Sequence, residues 1–372
     1  GGQWGRVGYD TTSDVYRASV QVEVTQPLLR RLGRLVNEEG VVQARSGAKA
    51  ARRDLELRRT DLVVQAVEGH EELLQLQRQI EFDQQALKRA DQLLRLTAAR
   101  ERQGRATRVD VLRVDLQHGE AQSRLNRSRE RLASARADFA ELMGLAPEDQ
   151  VTAVESPLLD VASPSLDQAV GTALSNRLDY AQVLDDCRDA ERGVRIARRY
   201  LLPDLNLVTR YTQSGESERA SGVADHPDDQ WFVGLTVDSE LRSTKERLAV
   251  ARARLTEATA RQTAEIVEAA LRRQVQQALL ALDRARLEVQ VARRNLVLAG
   301  NRYRLARRMF EIGKGDNFSV TDAESALLDA QNRLLQTQAD VSIATYRLLR
   351  ALGTLLESPE DLRPRALGTG AA

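Results

Sequence analysis

Three carboxylates follow or lie within two glycine-containing turns of the sequence. Asp110 lies six residues after Gly104, and Asp322 lies nine residues after Gly313, while Asp316 is part of the second turn itself. Carboxylates that gather at one place attract cations, but an Asp at the start of a helix is also favoured by the helix dipole. For Asp110 and Asp316, the dipole or capping role is the better supported of the two.

No catalytic or cofactor chemistry is indicated elsewhere. The sequence has no Gly-rich phosphate loop, no nucleophile elbow and no His-Glu metal motif. Cys187 is the single cysteine, which excludes an intrachain disulfide and is typical of a small buried residue. His118 falls in the apolar stripe of a predicted helix, a position that favours packing over metal binding. We therefore predict that the chain is not an enzyme and holds no cofactor or metal.

The composition is typical of long packed helices. Only 4% of the residues are aromatic and 29% are charged, with 22 glycines and 8 prolines in 372 residues. A formal net charge of +1 argues against a nucleic-acid partner, which requires a basic excess. No run of eighteen apolar residues occurs, so a membrane-spanning helix is excluded.

The chain contains an internal repeat with an offset of 209 residues. Ala-Gln-Ser-Arg-Leu at 121–125 matches Ala-Gln-Asn-Arg-Leu at 330–334, and Gly104 matches Gly313. A slightly different offset pairs the segments that start at Val24 and Val237. Each copy is predicted to be a short β segment followed by a long helical hairpin.

The helical prediction rests on apolar residues spaced alternately three and four apart, as in a coiled coil. This seam runs from Val111 to Leu142 and, in the second copy, from Val320 to Ala351. Thr107 in the first copy, and Asn317 or Ser319 in the second, are candidate helix caps.

Strands are predicted where apolar and polar residues alternate, at 19–24, 205–211 and 231–237, with a solvated loop from 213 to 230. From the residues alone, an ordinary half-buried sheet is favoured over a transmembrane barrel.

The predicted organisation has two domains. The first repeat, residues 1–160, contains a partial β hairpin (1–24), a helical hairpin (25–146, tip near 104) and a linker. The second repeat, residues 161–372, contains a helix (165–199), a β hairpin (203–238), a helical hairpin (241–353, tip near 313) and a C-terminal tail.

Several short motifs occur in an order that resembles the TolC-like outer-membrane efflux channel family. They are Leu-Pro-Asp-Leu at 202–205, a Trp-containing strand at 231–237, Phe-Glu-Ile-Gly at 310–313, Ser-Val-Thr-Asp-Ala-Glu at 319–324 and Ala-Leu-Gly-Thr-Leu at 351–355. The resemblance implies a mainly α fold, in which antiparallel coiled-coil hairpins form an α-barrel and short strands contribute to a trimeric transmembrane β-barrel.

The resemblance also implies a function and partners. The chain is expected to be a homotrimeric exit duct in the outer membrane of a Gram-negative bacterium, spanning the periplasm in a tripartite efflux or type I secretion system. A periplasmic adaptor protein would connect it to an inner-membrane pump, and its strands would contact lipid. A periplasmic coiled-coil adaptor and a soluble helical scaffold remain alternatives.

Candidate site residues follow from the same resemblance. In the family, acids six and nine positions after the second tip glycine narrow the pore. Ser319 and Asp322 occupy those positions, so only the second acid is kept, and for Asp322 the pore and helix-start roles are equally supported. Gly104, Gly313 and Gly315 are candidate adaptor contacts, although a role as turn formers suffices.

Two aromatic residues, Tyr211 and Trp231, are candidates for an aromatic girdle at the membrane interface.

Each family repeat begins with two strands, but only fourteen residues precede Val15. We therefore expect that a first strand and a signal peptide lie upstream of this sequence.

Overall fold

The computed structural model describes residues 16–146, 148–149, 151–155, 164–217, 228–238 and 244–365. Their elements, in chain order, are β1 (Tyr16–Pro27), α1 (Arg34–Asn37), α2 (Glu39–Arg102), α3 (Arg108–Leu142), α4 (Leu166–Asn176), α5 (Leu178–Arg199), β2 (Asp204–Ser217), β3 (Asp228–Asp238), α6 (Thr244–Glu311), α7 (Asn317–Leu352) and a 3₁₀ turn (Glu360–Leu362). The fold is mainly helical with one small sheet, as predicted.

The chain divides into two compact units. One contains the described residues of Gly1–Ala51 and Gln182–Val267, and the other contains Arg52–Ala181 and Glu268–Arg365. The first unit holds the sheet, and the second holds the two hairpin turns.

The sheet has the order β1-β2-β3 and is antiparallel throughout. Val22 pairs with Tyr211, and Tyr211 pairs with Trp231, so that these three side chains share one face. Strand β1 therefore pairs with a strand of the other repeat, about 190 residues away in the sequence. The alternation of apolar residues predicts the strands but does not specify this pairing.

Two predicted boundaries near the sheet are wrong. Strand β1 continues to Pro27, and Leu28 still donates its backbone N–H to the Leu205 carbonyl at 2.7 Å, so the helical hairpin does not begin at residue 25. The predicted loop from 213 to 230 is also too long, because strand pairing extends to Ser217 and resumes at Asp228. Residues 1–15, 218–227 and 366–372, and most of the linker, lie outside the described residues.

The predicted single helix over 165–199 is also wrong, because it breaks at Arg177. The backbone of Arg177 is extended (φ −67°, ψ 119°) and separates α4 from α5. Its guanidinium donates to the Ala351 carbonyl at 3.4 Å and to Asp179 at 2.9 Å. The break is thus stabilised by the end of α7, where Gly353 lies against the backbone of Asn176.

Every residue of the two predicted seams is buried or half-buried. In the second unit, three clusters of buried apolar residues lie between the helices. The largest includes Leu271, Val275, Leu282 and Leu348, and a second joins Leu93, Val114, Tyr303, Phe310, Val320 and Ala323. The third, around Leu73 and Leu132, includes Ala153 of the segment after α3.

Cys187 is buried and unpaired, as expected. Among the described helices, none is long and apolar enough to cross a membrane.

Candidate functional site at the hairpin tips and on the sheet

Both hairpins turn at a glycine in the left-handed conformation. Gly104 has φ +70° and donates its N–H to the Glu101 carbonyl, and Gly313 has φ +79° and donates to the Phe310 carbonyl, each at 2.9 Å. This backbone conformation is unfavourable for other residue types and ends the preceding helix. The repeat therefore builds the same turn twice.

Gly315 is required for a different reason. A Cβ at this position would lie 3.2 Å from the backbone of Met309 and Phe310. The second turn folds back onto the end of α6, so a side chain at this position would force the two backbone segments apart by a few tenths of an ångström. All three candidate glycines thus have a structural role in the turns.

Asp110 is part of a capping box at the start of α3. Its Oδ2 accepts hydrogen bonds from the Thr107 N–H at 3.0 Å and from Thr107 Oγ1 at 2.7 Å, and Thr107 Oγ1 accepts from the Asp110 N–H at 3.2 Å. These bonds from Thr107 lower the pKa of Asp110 below its usual value of 3.8. The carboxylate is therefore charged at neutral pH and stabilises the helix start.

The cap of α7 is Asp316, which confirms the capping role predicted for this residue, whereas the prediction of Asn317 or Ser319 as the cap is wrong. Asp316 Oδ1 accepts the Ser319 N–H at 3.0 Å, and this interaction with Ser319 lowers the pKa of Asp316. Asp316 is also close enough to Asp110 for its charge to oppose ionisation of that carboxyl. The two turns thus bring two ionised carboxylates near each other.

Asn317 connects the two turns instead. Its side chain is 3% exposed and donates from Nδ2 to the Asp110 main-chain carbonyl at 3.1 Å. One turn further on, Thr321 Oγ1 donates to Gln117 Oε1 at 2.6 Å. The first turns of α3 and α7 are therefore held together by polar side chains.

Arg100 caps the end of α6 from the other hairpin. Its Nη2 donates to the Phe310 carbonyl at 2.5 Å and to the Glu311 carbonyl at 3.0 Å, and its guanidinium lies 4.1 Å from the centre of the Phe310 ring. A cation at a helix C-terminus is favoured by the helix dipole. No local pattern in the sequence signals this contact, because the partners are 210 residues apart.

Asp322 lies on α7 with a half-exposed side chain and forms an ion pair with Arg302 of α6. Ser319, at the other candidate constriction position, is exposed.

A cavity of about 530 Å³ lies between the turns, and its lining includes Thr97, Arg100, Arg105, Asp110, Asp316 and Asn317. The tip region thus carries charges of both signs.

His118 is half-buried in the seam of α3. Within the parts of the chain that the structure describes, no three His, Cys, Asp or Glu side chains come together as a metal site would require.

The sheet brings Tyr211 and Trp231 together. Their ring centres are 4.8 Å apart, and the Tyr211 hydroxyl donates to Asp229 Oδ1 at 3.0 Å. Trp231 is 74% exposed, and its face of the sheet continues with other exposed apolar residues: Val20, Val22, Val24, Val233, Leu235 and Val237.

The opposite face of the sheet is mostly polar. Arg210 of β2 forms an ion pair with Glu23 at 2.8 Å and lies over the Phe232 ring. The sheet therefore has one exposed apolar face and one face with paired charges, which is not the pattern of a sheet buried on a core.

Two long antiparallel helical hairpins, each preceded by strands of one small sheet, define the fold class as that of the outer-membrane channels. The chain aligns with the structure of the outer membrane protein VceC from Vibrio cholerae with a TM-score of 0.74, at 16% identity, over 95% of this chain and 85% of that one.

Sequence comparison identifies the family. Residues 169–354 match the model of the outer membrane efflux protein family. The chain is also 24% identical over 324 residues to the outer membrane efflux protein BepC of Brucella suis biovar 1 (strain 1330), covering 85% of this chain and 68% of that protein. It is 25% identical over 320 residues to the pyoverdine export outer membrane protein OpmQ of Pseudomonas putida, covering 82% of this chain and 66% of that protein. The chain belongs to the outer membrane efflux protein family, a family of outer-membrane transport proteins rather than of enzymes.

Proposed function

We propose that this chain is the outer-membrane exit duct of a tripartite efflux or secretion system and that it moves its substrates passively. The observation that carries the proposal is the duplicated unit of strands and a long helical hairpin in a member of this family. The helices supply a wall and the apolar sheet face supplies a surface for lipid. We propose no catalytic activity for the chain, and the energy for transport comes from an inner-membrane pump.

Exposed apolar stripes on two helices support a homotrimer. On α6, apolar side chains at coiled-coil spacing are more than half exposed: Leu280, Leu287, Val291, Leu298 and Leu305. On α3, Val109, Leu112 and Leu116 form a similar exposed stripe. Because such stripes normally pack against another helix, α6 of one copy is proposed to contact α3 of the next copy around a closed ring.

The sheet supports the same assembly. The described part of the chain contains three strands, and a closed barrel needs about eight or more. Several copies must therefore contribute strands to one barrel, with Trp231 and Tyr211 on the outer face at the level of the lipid headgroups.

The hairpin tips are the proposed end of the duct that faces the pump. Asp110, Asp316 and Asp322 place carboxylates there, and Asp322 is the proposed constriction residue, with its charge partly balanced by Arg302. The glycine turns are the proposed contact region for a periplasmic adaptor. Their compact backbones leave the adjoining apolar side chains, such as Ile312 and Phe318, exposed.

The role of Asp322 can be tested by the ion selectivity of the reconstituted channel. Asp322→Asn is expected to lower the preference for cations, and Arg302→Gln is expected to raise it by freeing the carboxylate. Reversal potentials in a salt gradient measure both effects. Identical selectivity of the two variants and the wild type would remove Asp322 from the constriction while leaving the duct itself intact.

Assembly is tested on the full-length protein extracted from cells. The duct predicts fractionation with the outer membrane and a trimer that resists detergent. Leu298→Asp places a charge in the exposed stripe of α6 and is expected to abolish the trimer, whereas Arg293→Asp, on another exposed side of the same helix, is expected to retain it. A monomer confined to the soluble fraction would instead support an adaptor or a soluble helical scaffold.

A further inference from the structure

Three arginines form a cluster in the middle of α3. Arg124, Arg127 and Arg131 are spaced three and four residues apart, so their side chains extend from one side of the helix. They line a cavity of about 290 Å³ whose other walls come from α2 and α7. Among the described residues, no carboxylate lies within ion-pair distance of any of the three. A cavity with such a lining is suited to an anion.

The second repeat shows how the counterpart of Arg124 is neutralised. That counterpart is Arg333, which forms an ion pair with Glu288 at 3.0 Å. At the same offset of 209 residues, the counterpart of Glu288 is Gln79, a neutral amide that lines the cavity. The same offset also matches buried positions of α2 and α6: Leu73 with Leu282, and Leu76 with Ala285. The first repeat has therefore kept the arginine and lacks the acid that faces it.

The rest of the cluster is also specific to the first repeat. The second repeat has Gln336 at the position of Arg127 and Asp340 at the position of Arg131. Since the two hairpins are built alike, the helical packing itself does not require three arginines here. The cluster is thus a feature that one copy carries in addition to the shared fold.

Arg124 has a donor that the protein leaves unused. Its Nε is buried and has no hydrogen-bond partner in the described part of the chain. Its charge acts on Glu324, but that carboxylate already accepts a hydrogen bond from Arg89 Nε at 2.8 Å. A buried donor without an acceptor costs free energy, and a bound acceptor removes that cost.

Two carboxylates line the same cavity without fully neutralising the cluster. Asp83 Oδ2 accepts a hydrogen bond from Ser128 Oγ at 2.6 Å, and both side chains are 4% exposed. Asp329 is exposed to solvent. The lining therefore carries three cations against two carboxylates, and the Asn332 amide supplies a further donor.

We propose that this cavity binds a phosphate group, either as the free ion or as part of a small molecule. A guanidinium donates in a planar fork that matches the oxygens of phosphate. Three guanidinium groups that start from different points of one helix need acceptors in more than one plane. Phosphate arranges its oxygens tetrahedrally, whereas a carboxylate has two in one plane. The inference does not depend on the proposed duct, because binding is measured without transport.

The experiment is isothermal titration calorimetry of the full-length protein in detergent, with inorganic phosphate as the probe and at constant ionic strength. Saturable binding is expected, and acetate is expected to bind at least about tenfold more weakly. Arg124→Gln and Arg127→Gln are each expected to weaken phosphate binding by about tenfold or more. Arg129→Gln removes an exposed charge of the same helix outside the cavity, so it is expected to keep the wild-type affinity.

Glycerol 3-phosphate distinguishes the two sources of the phosphate group. Tighter binding of this ester than of inorganic phosphate would assign the site to a small molecule that carries a phosphate. Tighter binding of inorganic phosphate would assign it to the free ion. Equal affinity of the wild type for acetate and phosphate would show a general attraction of anions and would overturn the site.

A further variant keeps the test decisive if the arginine variants fail to assemble. Gln79→Glu faces Arg124 with the carboxylate that Glu288 provides to Arg333, so it reproduces a pair that the second repeat already contains. It is expected to abolish phosphate binding. Glu288→Gln frees Arg333 alone and is expected to leave one site per chain. Unchanged affinity in Gln79→Glu, or no saturable binding by the wild type, would overturn the site while leaving the proposed duct in place.

Discussion

The Asn317 side-chain amide donates a hydrogen bond to the main-chain carbonyl of Asp110, and this bond joins the tips of the two repeats. The partners are 207 residues apart, and the Nδ2–O distance is 3.1 Å. In a chain built from two similar hairpins, a buried contact of this kind fixes how the hairpins meet. It also makes Asn317 a structural residue, although the sequence suggested a simple helix cap.

Removing this amide is expected to destabilise the tip. Asn317→Ala removes this hydrogen bond from the partly buried Asp110 carbonyl, at a cost of about 0.5–1.5 kcal/mol. The midpoint of thermal unfolding in detergent measures the effect. Asn126→Ala removes an exposed amide that accepts a hydrogen bond from Gln122 on the same helix, and it is expected to change the midpoint little. Equal midpoints for the two variants would show that the contact between tips contributes nothing to stability.

The capping box gives a stability difference that depends on pH. Asp110→Ala is expected to cost about 0.3–1 kcal/mol at neutral pH, the usual range for a carboxylate in the first turn of a helix, since the cap residue itself is Thr107. Since the hydrogen bonds from Thr107 lower the pKa of Asp110 in the folded protein, this stabilisation is present above the unfolded-state pKa and is lost as the pH falls through the folded-state pKa. The free energies of unfolding of wild type and variant, measured by denaturation at several pH values, should therefore converge only in strong acid. A gap that persists unchanged there would contradict the capping role.

Two helix-ending glycines of the repeat differ in their surroundings. Gly144 and Gly353 have nearly the same φ, +71° and +70°. A Cβ at Gly144 meets nothing within 4 Å, but at Gly353 it would lie 3.0 Å from the backbone of Asn176. Gly144→Ala is expected to cost about 1–2 kcal/mol for the left-handed conformation alone, and Gly353→Ala is expected to cost more. Chemical unfolding measures the free energy of unfolding of both variants. An equal loss of free energy in the two would contradict the packing of Gly353 against the helix break.

Trp231 provides a test of membrane contact. In a Trp4→Phe background it is the single tryptophan, and brominated lipids are expected to quench its fluorescence strongly because its face of the sheet is apolar and exposed. The control exchanges the two neighbouring aromatics, Trp231→Phe with Phe232→Trp, and places the indole on the opposite face beside Arg210. Quenching should then be weaker. Stronger quenching of the exchanged variant would reverse the assignment of the two faces.

Local patterns predicted much of this fold, and the exceptions share a cause. The seams of α3 and α7, the glycine turns and the alternation in the strands depend on residues close in sequence. The break at Arg177 depends on the distant end of α7, and the contacts of Asn317 and Arg100 join helices of different repeats. No periodicity along the chain encodes such contacts, because in each of them a polar side chain donates to the main-chain carbonyl of a residue far away in the sequence.

The candidate site was predicted less completely than the fold. The sequence identified the acids around the turns and offered Asp316, Asn317 and Ser319 as helix caps, but it did not select among them. It also did not indicate that Asp322 is paired with Arg302. Since several polar residues stand in a row at this turn, only the backbone geometry selects among them.

The central claim, that copies of this chain enclose a channel, is tested most directly by electrical recording. The full-length trimer, purified from outer membranes and added to a planar lipid bilayer, is expected to produce discrete conductance steps of uniform size. Leu298→Asp, which should not assemble, is expected to produce none. Insertion of intact trimers without any conductance steps, over the whole range of pH and voltage that the bilayer tolerates, would contradict the account.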